Sequence, residues 1–286
     1  MINLGLLGVE CSHTDAFVKI AKNYDKVKIT AICGETSESA ENFKKKYNLD
    51  CKIVSPEELA DFADAVFVTL RDGAAHKENV FRCARKNMSI WINKPFTTTV
   101  EDAKELGRFL EDNNIIFCAG TNVKYTDAIR KLKKFYKENK EDCVSGIFSA
   151  NIYMDSEYSG MHFYSHHIIE SALEIFGTDV KSVFAKLNDK NLSVIADFNG
   201  INVMFSYSLK EAPFVCGIFT KNVSIVESIS YEDIGAAQKY QFDEFLEVVK
   251  NKQNPVNTEF YITAVKVSCA IEKSIKENRE VSLEEV

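Results

Sequence analysis

A chain of 286 residues has room for two ordinary domains, and a composition 45% hydrophobic and 27% charged is that of a globular protein with a full core. Its 35 basic and 42 acidic residues leave a net charge of −7 and no basic stripe, which excludes a nucleic-acid-binding surface. No run approaches the roughly 18 apolar residues of a membrane span, no signal peptide opens the chain, and the eight scattered cysteines lack the spacing of a zinc or redox pair, so a reduced, cytoplasmic setting is expected.

From the N-terminus, short apolar runs alternate with helical periods. Ile2 to Leu7 reads as a strand, Thr14 to Tyr24 as a helix, Val27 to Cys33 as a strand and Glu38 to Tyr47 as a helix. The alternation continues with Ala65 to Leu70, His76 to Lys86, Ser89 to Ile92, Val100 to Asn113 and Ile115 to Ala119. Fully apolar strands separated by helices predict a parallel sheet covered on both faces, a Rossmann-type α/β domain over residues 1–121. After the amphipathic segment Thr126 to Glu138 the rhythm changes to long β-type runs: Val144 to Met154, Val180 to Leu187, Leu192 to Phe198, Ile201 to Leu209, Phe214 to Thr220 and Val223 to Ser230. Asn199-Gly200 between two of them is a hairpin signal. One helix, His162 to Phe176, interrupts them, and two more, Asp233 to Lys250 and Thr258 to Glu277, follow. Residues 122–286 are thus expected to form an α+β domain with a predominantly antiparallel open sheet.

The first strand runs into Gly5-Leu6-Leu7-Gly8-Val9-Glu10-Cys11-Ser12-His13. A dinucleotide turn wants glycines here, so that the backbone approaches a pyrophosphate at a helix N-terminus. Gly8 stands at the tight turn, but Glu10 and His13 occupy the next two glycine positions. An ordinary strand-to-helix turn with Ser12 as N-cap and Asp15 three residues on explains the segment as well. Glu35, at the end of the second strand, is placed to accept hydrogen bonds from an adenosine ribose, with no arginine in the adjoining sequence to favour a 2′-phosphate.

The later segments carry a resemblance. Asn93-Lys94-Pro95-Phe96 after the fourth strand resembles the Glu-Lys-Pro segment of the Gfo/Idh/MocA oxidoreductases, and Ser55-Pro56-Glu57-Glu58-Leu59, Asp64-Ala65-Val66-Phe67-Val68, His76, Asn122-Val123-Lys124-Tyr125 and Phe242-Asp243-Glu244-Phe245 are similar to that family as well. The resemblance implies an NAD-dependent dehydrogenase acting on a secondary hydroxyl of a sugar, cyclitol or related polyol. It implies that Lys94 contacts the nicotinamide ribose and the reacting hydroxyl, and that Gly8, Glu10, Ser12, His13, Glu35, Leu70, Arg71, His76 and Asn93 line the cofactor. A lysine at a strand's carboxyl end is also where an α/β fold puts functional groups, and Lys94-Pro95 is a candidate cis bond. The family's Asp-x-x-x-His helix start corresponds to residues 163–167: His167 matches the histidine and serves, with His166 as its neighbour, as the candidate general base facing an interdomain cleft, while Phe163 stands in place of the aspartate.

Two other readings stay open. Loss of the motif glycines and of the aspartate fits a non-catalytic dinucleotide- or sugar-binding protein. His162, His166 and Glu170, four apart on one helix, fit a metal-assisted hydrolase or isomerase. Six β-runs with helices enough to cover one face predict a homodimer or tetramer through the C-terminal sheet, with Phe205, Tyr207, Phe214 and Phe219 on the open face.

Overall fold

The computed structural model describes residues 1–286, which divide into two compact units. The first comprises residues 1–97, 101–120 and 238–257, and the second residues 98–100, 121–237 and 258–286. A single boundary at residue 121 therefore needs amending, because residues 238–257 return to the first unit. The cause is hydrophobic. Phe242, Phe245, Val248 and Val249 lie in one buried cluster with Phe17, Phe67 and Trp91, and the Phe242 ring stacks on Phe67 at 5.6 Å. Asp243 also accepts the Tyr24 hydroxyl. The helical period of this segment reveals its apolar face but not the sheet which that face covers.

In the first unit β1 (Ile2–Leu7), β2 (Val27–Cys33), β3 (Lys52–Ile53), β4 (Ala65–Val68), β5 (Ser89–Ile92) and β6 (Ile116–Ala119) form an all-parallel sheet in the order β3-β2-β1-β4-β5-β6. Helices α1 (Ser12–Ala21), α2 (Ser37–Tyr47), α3 (Leu59–Phe62), α4 (His76–Cys83) and α5 (Val100–Asp112) connect the strands. Strands β4 and β5 are buried along their whole length, which is why they read as unbroken apolar runs. The strand order reverses between β1 and β4, the switch point where doubly wound folds receive ligands. Ser12 does not cap α1 as expected. Cys11 holds the N-cap position without a side-chain hydrogen bond, and Ser12 is the exposed first residue of the helix.

The second unit contains α6 (Asp127–Asn139), β7 (Cys143–Asn151), α7 (His162–Phe176), β8 (Ser182–Leu187), β9 (Asn191–Phe198), β10 (Ile201–Ser208), β11 (Phe214–Thr220), β12 (Ser224–Ile229), the start of α8 (Tyr231–Asn251), α9 (Thr258–Glu277) and β13 (Val281–Ser282). Its seven-stranded sheet runs β12-β11-β7-β10-β9-β8-β13, antiparallel except for the β7–β10 pair. Asn199 and Gly200 turn the β9–β10 hairpin with φ of 51° and 91°, the positive values a type I′ turn demands.

Helices α6, α7 and α9 pack on one face of this sheet. Phe205, Tyr207 and Phe214 lie buried on that face, correcting their expected place on the open one; only Phe219 is partly exposed. Alternation groups Phe205 with Tyr207 but does not say which side the helices take. The opposite face carries a row in register across the sheet: Phe184 beside Ile195, Ile195 beside Met204, Met204 beside Ile147, and Val226 beyond Gly217. Ile195 and Met204 are each 45% exposed, and Val226 54%.

Candidate active site

The turn after β1 is built around Gly8. Its φ is +93°, and a Cβ there would lie 2.8 Å from Leu70 N, so only glycine fits. Gly8 N donates to Cys33 O at 2.9 Å, and its carbonyl accepts the Thr14 and Thr69 hydroxyls at 2.8 and 2.5 Å. The backbone thus comes as close to the strand ends as a diphosphate-cradling turn requires, and α1 begins directly behind it. His13 lies half-buried beside this turn, its Nδ1 3.6 Å from Cys11 Sγ. Burial, with the Lys94 charge behind it, pushes the His13 imidazole down to about 3, so it is neutral. Burial likewise raises the Cys11 thiol, although Lys94 and Arg71 act against that shift.

Lys94 follows β5 on a cis Lys94–Pro95 peptide and is 4% exposed. Its charge reaches Cys11, His13 and His76, so it sits in the electrostatic reach of the dinucleotide turn. Asn93 joins the two segments through Nδ2, 3.7 Å from Cys11 Sγ, and leaves its buried Oδ1 without a partner. His76 is fully buried between two carbonyls, Nδ1 2.8 Å from Pro95 O and Nε2 3.1 Å from Leu70 O. It braces the Lys-Pro turn against the end of β4 rather than facing a ligand, a correction to its expected cofactor contact. Leu70 and Arg71 are half-buried at that same strand end. Glu35 is exposed, and its backbone N–H is taken by the Glu10 carboxylate at 2.8 Å.

In the second unit α7 is buried on nearly every side, not striped. His167 stands at its centre with Nδ1 2.6 Å from Thr121 Oγ1, and the rings of Tyr164 and Phe214 meet it edge-on at 4.5 and 6.0 Å. Glu170 accepts the Thr121 N–H at 2.8 Å and lies 3.6 Å from His166 Nδ1. His166 is fully buried with neither ring nitrogen hydrogen-bonded, which removes it as a group that meets a substrate. His162 turns to Ser268 Oγ at 2.8 Å and Glu272 at 3.5 Å, and burial, helped by His166, holds its pKa below the usual value. His162, His166 and Glu170 therefore serve different partners, and no three His, Cys, Asp or Glu side chains are placed to hold a metal ion.

Residues 2–121 match the family model GFO_IDH_MocA, described as an oxidoreductase family with an NAD-binding Rossmann fold. That match covers the N-terminal part of the chain. The chain is 24% identical over 136 residues to the scyllo-inositol 2-dehydrogenase (NADP(+)) IolU of Bacillus subtilis (strain 168), a match spanning 47% of this chain and 41% of that relative. The fold is similar over nearly full length to the Lactobacillus casei scyllo-inositol dehydrogenase with bound NAD(H) and scyllo-inositol, with a TM-score of 0.87, 14% identity and 99% of each chain covered. It is also similar to the Lactobacillus plantarum myo-inositol 2-dehydrogenase, with a TM-score of 0.85, 14% identity and coverage of 98% of this chain and 99% of the other.

Gly8, Glu10, His13, Asn93 and Lys94 gather at one end of the first unit's sheet, while Ser12 and Glu35 are exposed. Phe163 packs its ring against Tyr158 and Tyr164 at 5.3 and 6.3 Å and offers no carboxylate. Thr121, the residue that holds His167, belongs to no motif of the sequence. Its position just beyond the last parallel strand, where this fold concentrates functional groups, was the available signal.

Proposed function

We propose that this protein is an NAD(H)-dependent dehydrogenase that oxidises or forms a secondary hydroxyl on a cyclitol, sugar or related polyol. The observation that carries the reading is the buried Lys94, held on the Lys-Pro turn with its charge felt at the dinucleotide turn. The Gly8 turn, with no room for a Cβ and α1 starting behind it, fits the close backbone approach that a dinucleotide needs. The cofactor, when bound, supplies hydride transfer at its nicotinamide. Lys94 positions the hydroxyl and stabilises developing alkoxide, and His167, its ring held by Thr121, exchanges the proton. The polyol class rests on the inositol dehydrogenases among the similar proteins.

The test is NADH formation with purified protein, NAD and a panel of inositols and sugars, read at the NADH absorbance. Binding without turnover is the second reading, favoured by Phe163 in the aspartate's place. Tight NADH binding with no oxidation anywhere on the panel would establish it. In either case we propose a homodimer or larger assembly, with a second copy of this chain on the open sheet face.

A further inference from the structure

Glu10 occupies the second glycine position of the dinucleotide turn, yet its carboxylate leaves the turn. Oε1 accepts the Glu35 N–H at 2.8 Å and the Ser39 hydroxyl, so it lies where β2 ends and α2 begins. Gly34 makes room for it. A Cβ on residue 34 would fall 3.0 Å from Glu10 Oε1 and 2.6 Å from Ser39 Oγ. Oε2 is buried with no hydrogen-bond partner. The carboxylate charge also acts on Cys33, the last residue of β2, whose thiol burial raises and Glu10 raises further.

The carboxyl end of β2 is where a doubly wound fold meets the adenosine ribose. A helix N-terminus there would ordinarily welcome a 2′-phosphate, but Glu10 has already placed a negative charge on it. The nearby cation gives no relief. Arg82, whose charge reaches Cys33, is clamped by Glu57 at 2.6 Å through Nε and 3.3 Å through Nη2. Glu35, the acid that sequence position nominates, is exposed and contributes its backbone to holding Glu10.

We propose that Glu10, and not Glu35, is the residue by which this protein rejects NADP(H) in favour of NAD(H). The inference rests on the dinucleotide reading above and assigns its specificity. The similarity to a relative named for NADP(+) means that cofactor choice must be carried by particular residues rather than by the family as a whole.

Calorimetric titration of wild type, Glu10→Gln and Glu35→Gln with NADH and NADPH tests it without any turnover. Glutamine keeps an oxygen for Glu35 N–H and Ser39 while removing the charge. Glu10→Gln is expected to tighten NADPH binding by roughly tenfold or more, the scale of a partly screened like-charge contact, with little change in NADH binding. Glu35→Gln should leave the preference intact. On wild type alone, adenosine 5′-monophosphate should outcompete adenosine 2′,5′-bisphosphate for the same site, which covers the case of a poorly folded variant. Relaxed selectivity in Glu35→Gln only, or equal binding of the two adenosine probes to wild type, overturns the assignment while leaving the dehydrogenase reading in place. Wild type that binds neither dinucleotide removes both.

Discussion

Thr121 Oγ1 lies 2.6 Å from His167 Nδ1 and at the same time accepts the Val123 N–H at 3.1 Å. Thr121 N in turn donates to Glu170 at 2.8 Å, so the residue is held through both its backbone and its side chain. A ring held at Nδ1 has its plane set by that partner rather than by a substrate. Thr121→Val, nearly equal in volume, should lower kcat by roughly ten- to a hundredfold, as expected when a catalytic ring loses its orientation. NADH affinity should be unchanged, and Thr121→Ser should restore most of the rate. Equal losses in the valine and serine variants would show that packing, not the hydrogen bond, is what matters.

Lys94 makes a sharper prediction because the residue is buried and its removal eliminates a charge. Lys94→Met should cut turnover by about 10²–10⁴-fold, the usual contribution of a positioned proton-handling group. The fold, followed by circular dichroism, and NADH affinity should both survive. A variant that keeps more than about a tenth of wild-type kcat would remove Lys94 from the chemistry.

The histidines predict how stability depends on pH. His13, His76 and His162 all have folded-state pKa values below the usual one, His13 at about 3, with burial the leading cause in each case. Above about pH 6.5 each is neutral in both folded and unfolded states and contributes no pH dependence. As pH falls below that value the unfolded chain takes up protons that the folded chain refuses, so stability is lost downward toward the folded pKa. At pH 5 the loss is about 2 kcal/mol for each histidine that stays neutral in the fold. Thermal midpoints should therefore fall between pH 7 and pH 5, and His162→Asn should flatten the slope. A midpoint constant over that interval would contradict the protonation states assigned here.

Much of this arrangement was legible from local pattern. The unbroken apolar strands announced β4 and β5, Asn199-Gly200 announced a hairpin, and Lys94 at a strand's carboxyl end announced a functional position. Contacts distant in sequence were not legible. Glu10 reaches Ser39 across 29 positions, and Thr121 reaches His167 across 46; neither partner is implied by periodicity or capping chemistry. The same limit hid the return of Phe242 and Phe245 to the first unit, where they meet Phe17 and Phe67. His76 illustrates the same limit. Its place at a helix start looks like a ligand position, and only the fold shows carbonyls on both sides of its ring.

The open sheet face leads to the last prediction. The row formed by Phe184, Ile195, Met204, Ile147 and Val226 is apolar, while the cross-strand rows beside it include Lys186, Ser193, Ser206 and Ser149 on one side and Ser182, Asp197, Asn202 and Ser145 on the other. An apolar band flanked by mostly polar side chains suits a partner of the same shape, because two such faces related by a twofold axis set band against band. An isolated sheet would leave that band in water, an unusual feature for a monomer. Light scattering at micromolar concentration should accordingly report at least twice the 32.3 kDa chain mass. Met204→Lys, at the centre of the row, should split the assembly without unfolding it, since the side chain already reaches solvent in the single chain. Phe205→Lys, one residue away on the helix-covered face, should instead destabilise the fold itself, because it forces a charge into a buried site. A wild-type monomer at these concentrations, or a Met204→Lys variant that stays assembled, would remove this face as the contact between copies.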